Sequence, residues 1–303
     1  MQTMLELQIT IFSLIAAGFL IRRIHLVPAA FQKNLTDLVL YLVLPCNIVS
    51  SFTKQTISDR FWKDLAVIFV ISLGIQFFCV FYGKLLFRKQ PDSRRRCLEY
   101  GIICSNSGFL GNPVAEGVYG APGLMLASVY LIPQRIMMWS EGLATFSGTF
   151  DRRETIKKVV THPCILACVI GIILMLLPVT LPAVIITPID TIGRCNTALS
   201  MMVIGMILSE IDLKTLADRT LIRYTIHRLV ILPLIIYVVL TLIHPVSSLV
   251  RGVSVLLAAM PAGATTTMLA SKYDRDPHFA TRMVILSTLC SIPALLVWST
   301  ILA

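Results

Sequence analysis

Charge is what this sequence has least of. Of its 303 residues, 14% are Asp, Glu, Lys or Arg and 56% are hydrophobic, with a mean hydropathy of +0.82. Soluble domains carry about 25% charged residues, so this composition excludes a disordered chain and an ordinary soluble enzyme. Catalytic constellations are missing as well. There is no H-E-x-x-H, no paired aspartates inside apolar stretches, and no Ser/His pair placed in matching ones. The eight cysteines (Cys46, Cys79, Cys97, Cys104, Cys164, Cys168, Cys195 and Cys290) contain no C-x-x-C pair. Cys164 and Cys168 share a helical face, but no histidine or carboxylate in that helix completes a metal set. The cysteines read as small buried apolar side chains, and neither metal nor cofactor is expected. A positively charged leader with a small-residue cleavage site is also lacking, so the first apolar stretch is expected to be a span rather than a removable signal.

Long apolar runs are what the chain has instead. A bilayer demands about 20 such residues per helix. Ten candidates lie near residues 5–24, 31–52, 64–87, 97–119, 123–149, 161–178, 188–209, 223–243, 248–271 and 278–302; they are numbered here as spans 1 to 10. The expectation is an all-α polytopic membrane protein. Net charge is +10, from 26 Lys and Arg against 16 Asp and Glu. Those basic residues sit in short connections between apolar stretches, which points to the lipid bilayer surface as partner and not to nucleic acid. The connections after spans 1, 3, 5, 7 and 9 hold twenty Lys and Arg, and the other connections and ends hold four. Arg135 and Arg194 remain, inside spans. By the positive-inside rule both termini face outward, periplasmic in a plasma or inner membrane.

Five spans per half invert the second half relative to the first. Residues 1–150 and 151–303 therefore form candidate inverted repeats, an architecture of secondary transporters. Spans 4 and 9 are each interrupted by proline, in SNSGFLGNPVAEGVYG (105–120) and AAMPAGATTTMLASKYD (258–274). Each leads through a tyrosine and a proline turn (Tyr119, Pro122; Tyr273, Pro277) into the helix closing its half. Proline removes a backbone donor and clashes with the preceding turn, and freed carbonyls survive in lipid only beside protein or a hydrated cavity. Gly111-Asn112-Pro113 reads as a true break, with Gly111 permitting unusual backbone and Pro113 opening a new half-helix. Met260-Pro261-Ala262-Gly263 is its counterpart. Two half-helix N-termini would meet near the midplane, each with unsatisfied N–H groups and about half a positive charge. That is an anion site built from backbone.

At these residues the chain resembles the auxin efflux carrier family, which includes plant PIN-type auxin transporters and bacterial organic-acid permeases. The segment Asn106-x4-Gly111-x-Pro113-x5-Tyr119-Gly120 resembles the family's fourth-helix stretch, and Met260-Pro261 with Tyr273 and Pro277 its ninth. Leu44-Pro45 in LYLVLPCNIVSSF looks like its second-helix motif, and Val203-Ile204-Gly205 like its seventh-helix glycine. The resemblance implies ten helices in a fold similar to sodium/proton antiporters and bile-acid symporters. Helices 4 and 9 cross there, helices 1, 2, 6 and 7 form a dimeric scaffold, and helices 3–5 and 8–10 move as a transport unit. The long central loop of the larger plant members is absent, DRRETIKKVVT standing as a short link. This chain departs from plant members at Glu116, where they tend to carry lysine, and at Arg135 beside Gln134.

The expected function is secondary transport of small organic anions, auxin-like monocarboxylates or malate- and malonate-type carboxylates, by alternating access in a homodimer. The candidate substrate ligands are Asn47, Asn106, Gly111, Asn112, Pro113, Gln134, Arg135, Pro261, Ala262, Gly263 and Thr265. Arg135, midway along span 5, is a guanidinium for a substrate carboxylate; its bland alternative is an internal ion pair, with Glu141 the nearest acid in sequence. Glu116 and Glu141 are candidates for proton coupling, and Glu116 reads equally as a vestibule carboxylate. Asp190 and Arg194, four apart, read as a structural pair. Ser105 to Ser107 and Thr265 to Thr267 offer oxygens for Na⁺ but no carboxylate beside them, so sodium is not expected. The run Arg88, Lys89, Arg94, Arg95, Arg96 reads as an anchor at anionic headgroups. The competing classes are a membrane-embedded enzyme, for which no catalytic constellation is found, and a non-transporting scaffold or sensor, which has no reason to keep two broken helices in matching positions.

Overall fold

The apolar runs fold into helices throughout, as a chain must when its backbone polar groups have no water to bond. The computed structural model describes residues 2–53, 59–148, 152–176, 181–209, 218–243 and 246–302, and among these there is no strand. The helices are α1 (Gln2–Arg23), α2 (Ala29–Leu38), α3 (Leu44–Thr53), α4 (Asp59–Leu86), α5 (Asp92–Ile103), α6 (Asn112–Met137), α7 (Leu143–Ser147) and α8 (Arg152–Val160). They continue as α9 (Pro163–Leu176), α10 (Ala183–Arg194), α11 (Asn196–Leu208), α12 (Arg219–Ile226), α13 (Leu232–Leu242), α14 (Ser248–Ala258), α15 (Thr265–Lys272) and α16 (Pro277–Leu302).

Among the described residues four π-helical turns interrupt or join these helices, and three stand two residues before a proline. They are Val39–Val43 before Pro45, Ser107–Gly111 before Pro113, and His227–Ile231 before Pro233. The cause is local. Proline has no N–H for the carbonyl four residues back and its ring presses on that carbonyl; a widened turn moves it away. Helix direction is kept, so spans 2 and 8 run on through their prolines.

Six helical stretches among the described residues are long and apolar enough to cross a membrane: Ala30–Thr53, Trp62–Leu86, Ser107–Ser147, Ala183–Leu208, Arg219–Leu242 and Pro277–Leu302. Among the described residues the ten expected spans are not laid out as ten separate long helices, and the physical reasons are specific. Spans 4 and 9 are split between α5 and α6 and between α14 and α15. The later part of span 4 and most of span 5 share one 41-residue helical stretch, folded back at Gly120 (φ 66°, ψ −159°), a conformation only glycine adopts at no cost. The corresponding turn before α16 uses Asp274 and Asp276, both at positive φ. The described part of span 6 is α9, of 14 residues, about 21 Å at 1.5 Å per residue. The expected link DRRETIKKVVT is largely helical, as α8, with residues 149–151 outside the described set; Lys54 and Lys214, two of the counted loop charges, also lie outside it.

Packing sorts the helices into two neighbourhoods. α1 lies along α11, and α3 packs on α9 and α10. Close approach needs glycine here: a Cβ at Gly18 or Gly205 would overlap the facing backbone of Met202 or Ile15. Gly193 meets the Asn47 backbone in the same way. Elsewhere α4 packs on α5 and α6, α14 on α6 and α13, and α16 on α12 and α15. The cysteines carry no disulfide and five are buried, but Cys195, between α10 and α11, is exposed rather than buried as expected.

Candidate functional site

The two interrupted spans meet main chain to main chain. Asn106 N–H donates to the Pro261 carbonyl (2.8 Å), and Gly263 N–H donates to the Cys104 carbonyl (3.1 Å), with Ser105 and Ala262 paired antiparallel between them. Each break satisfies the other's freed backbone groups. Side chains complete the crossing. Gln134 Nε2 donates to the Ser105 carbonyl (2.9 Å), Ala262 N–H to Ser287 Oγ (3.2 Å), and Ser107 Oγ to the Leu257 carbonyl (3.0 Å). Tyr100 donates to Thr265 Oγ1 (3.1 Å) at the start of α15.

The first break is not at Gly111-Asn112-Pro113. It lies at Cys104 (φ −111°, ψ 93°) to Asn106 (φ −77°, ψ 37°), and the chain is helical again from Ser107. Gly111 has ordinary helical angles (φ −69°, ψ −43°). Its hydrogen side chain serves closeness instead, since a Cβ there would stand 3.3 Å from Met260 and 3.2 Å from Ser107. Pro113 sits in the first turn of α6 as expected. The second break is where the motif placed it, between α14 and α15 with Pro261 inside it.

Two predicted residues carry unused hydrogen-bonding capacity. Asn112 is fully buried and neither its Oδ1 nor its Nδ2 has a partner, an arrangement that costs about 1–3 kcal/mol. Arg135 is 6% exposed and its Nη1 has no partner, with Nη2 3.7 Å from the point where a Gly108 side chain would begin. Asn112 and Arg135, both on α6, thus hold donors in reserve, Arg135 beside the π-turn that follows the first break.

Other predicted residues are placed apart from the crossing. Asn47, buried on α3, donates to Glu116 Oε2 (2.9 Å), bridging the two packing neighbourhoods. Glu141 pairs with Lys84 at the surface (2.5 Å) and not with Arg135. Arg194 pairs with Asp190 (2.6 Å), which also accepts from Ser50 (2.7 Å). The basic run divides. Arg94, Arg95 and Arg96 pair internally with Asp218, Asp276, Asp92 and Glu99, while among the described residues no carboxylate pairs with Arg88 or Lys89. Beside Asp92, the guanidinium of Arg96 first, then Arg95 and Arg275, hold the carboxyl below its usual range.

One residue of the crossing was not anticipated. Arg228, counted among the loop charges, is 2% exposed inside the bundle. Its Nε donates to the Met260 carbonyl (2.9 Å) and its Nη1 to the Ile102 carbonyl (3.3 Å). Those carbonyls stand at the C-terminal ends of α14 and α5, where backbone acceptors are orphaned and the dipole is negative. The sequence signal was its place five residues into span 8. With the negative helix ends held by Arg228, the charged donor left without a partner near the crossing is Arg135 Nη1.

The family model described as membrane transport protein matches residues 3–299. An uncharacterized transporter of Methanocaldococcus jannaschii is 24% identical over 98% of each chain, and one of Methanothermobacter thermautotrophicus is 27% identical over 98% of each. A Rhizobium meliloti protein named "Putative malonate transporter" is 20% identical over 93% of this chain and 90% of its own. With a match over nearly its whole length and transporters as relatives, this chain belongs to the membrane transport protein family, that of the auxin efflux carriers its motifs resemble.

Proposed function

We propose that this membrane transport protein moves small organic anions, carboxylates of the malonate or malate kind or auxin-like monocarboxylates, by alternating access. The observation that carries the reading is the crossing itself. Its negative helix ends are bonded to Arg228, while Arg135, whose Nη1 is unpartnered, reaches the first turn after the first break, with Nη2 3.7 Å from where a Gly108 side chain would begin. A carboxylate is the ligand such a field favours. The name of the Rhizobium meliloti relative makes malonate the first substrate to try.

The reading extends to architecture. Residues 1–150 and 151–303 act as inverted repeats of five spans, both termini outside the plasma or inner membrane, in a homodimer. The neighbourhood of α1, α3, α9, α10 and α11 serves as scaffold, and the helices of spans 3–5 and 8–10 as the moving unit. The space between these groups beside Leu110, Val114, Ile204 and Ser291 is a cavity of about 10 Å³, room for at most one water. Substrate entry therefore requires the groups to separate. Glu116 then exchanges its partner Asn47 for a proton, and Glu141 serves as a surface relay.

Proteoliposomes holding the purified protein test this with labelled malonate, malate and indole-3-acetate, with and without an imposed pH gradient. Saturable uptake of at least one carboxylate is expected. Uptake of none of them, with transport of an organic cation instead, would remove the anion reading.

A further inference from the structure

We propose that the face formed by α4, α12 and α13 binds one anionic phospholipid, its phosphate on Arg219 and Arg223 and its acyl chain running inward along α4. Two cavities on this face support it. A groove of about 660 Å³ lies between α4 and α13, lined only by apolar residues, among them Val70, Gly74, Phe78, Ile235 and Val239. A second cavity of about 280 Å³ is lined by Arg219, Ile222, Arg223, Ile226 and His227. They are joined through side chains. Phe78 of the groove stacks on Tyr82 (5.4 Å between ring centroids), and the Tyr82 hydroxyl lies 2.5 Å from His227 Nδ1. Arg223 Nη2 donates to the Leu86 carbonyl (3.3 Å), fixing the basic cavity to the end of α4.

Charge selects the occupant. Arg94, Arg95 and Arg96 are neutralised by carboxylates within the chain. Among the described residues no carboxylate pairs with Arg219, Arg223, Arg88 or Lys89. Among the described residues, four positive charges thus stand without a carboxylate partner where α4 ends and α12 begins, the composition of a basic pocket between membrane helices that holds anionic headgroups. Between this end and the groove the wall is apolar and open, with Phe81, Leu85 and Ile226 well exposed. Arg223 to Ile235 spans about 18 Å at the helical rise, close to the roughly 15 Å of one leaflet's hydrocarbon. With the headgroup region added, phosphate to bilayer midplane is about 20 Å, so a tail whose phosphate sits on Arg223 passes the near mouth of the groove, beside Phe78 and Ile235, and ends inside it toward Gly74. Zwitterionic lipids fit the groove equally but leave the four charges unmet.

The test is native mass spectrometry of the delipidated full chain, titrated with phosphatidylglycerol and phosphatidylcholine of identical tails. The parent is expected to bind phosphatidylglycerol at least tenfold more tightly. Arg219→Gln with Arg223→Gln should bring the two lipids to parity. Gly74→Phe should weaken both while keeping their ratio, since a Cβ at Gly74 points into open space and meets nothing within 4 Å. Equal binding by the parent, or an unchanged preference in the double variant, would overturn the proposal. So would displacement of phosphatidylglycerol by inorganic phosphate at equal concentration, which needs no tail. Gly74→Phe turning a dimer into monomers with lipid binding intact would assign the groove to a second copy of this chain and overturn it too.

Discussion

Arg228 and Arg135 are buried to nearly the same degree, 2% and 6% exposed, and both stand in spans beside the helix crossing. Their engagement differs. Arg228 bonds two carbonyls, one from the end of each interrupted helix pair, whereas Arg135 keeps Nη1 unpartnered. A buried charge is costly unless its donors are used, so the first arginine holds the fold together and the second holds a charge in readiness. The difference teaches how burial can serve two ends at one crossing: the carbonyls at its negative ends are met by Arg228 within the chain, while Arg135 keeps a donor unspent, which the proposed function assigns to a substrate.

The sharpest way to break this contrast is Arg228→Met. Two buried carbonyls lose their donor, at about 1–3 kcal/mol each. Thermal unfolding in detergent should therefore show a loss of about 2–6 kcal/mol, with Arg228→Lys intermediate. Unchanged unfolding in Arg228→Met would mean that Arg228 is no clamp. Arg135→Lys is the complementary change, expected to spare the unfolding temperature. It keeps the charge and removes the planar fork, so apparent substrate affinity should fall by about 1–3 kcal/mol. Unaltered affinity in uptake assays would take Arg135 out of the site.

Asn112→Leu separates stability from function by sign. Replacing an unpartnered buried amide with an apolar group of similar size should raise the unfolding temperature while uptake falls; gains in both would make Asn112 a mere packing residue. Smaller still is Glu116→Gln, which keeps the bond to Asn47 in reach but releases no proton. Substrate exchange should persist while gradient-driven uptake fails, and equal gradient-driven uptake in parent and variant would rule out coupling there. The smallest effect belongs to the surface. Asp92, held below the usual carboxylate range by Arg96, contributes stability above the unfolded value near pH 3.9, lost as pH falls through its folded value. Asp92→Asn should flatten the acid limb of an unfolding-temperature profile slightly and leave neutral pH nearly unchanged. A parallel acid limb in parent and variant would show that the pairing carries no stability.

The crossing was legible wherever proline marks a broken helix. Pro261 stands inside the second break and its carbonyl accepts from Asn106. It misled where proline is absorbed by a widened turn. Pro113 follows a π-helical turn in helical chain, and the first break falls at Cys104 to Asn106, where no residue is unusual in sequence. Gly111 was read as a conformational device and serves as a close contact. Arg228 escaped because a charge near a span's end looks like a loop charge, and only the packing of α14 and α5 against its turn says otherwise.

What the sequence determined by itself is whatever depends on solvent and period. Sparse charge and long apolar runs dictate helices in a bilayer, since no other local structure satisfies its own backbone there. Pro261 foretold the second interruption, because a missing N–H is a property of one residue, whereas Pro113 did not mark the first. Only the tertiary structure decided which donors are used and which are spare. The bonds of Asn106 to Pro261, Gly263 to Cys104 and Arg228 to Ile102 join residues more than a hundred positions apart. Hydrogen-bond partners at such separation are chosen by packing and have no signature in local composition.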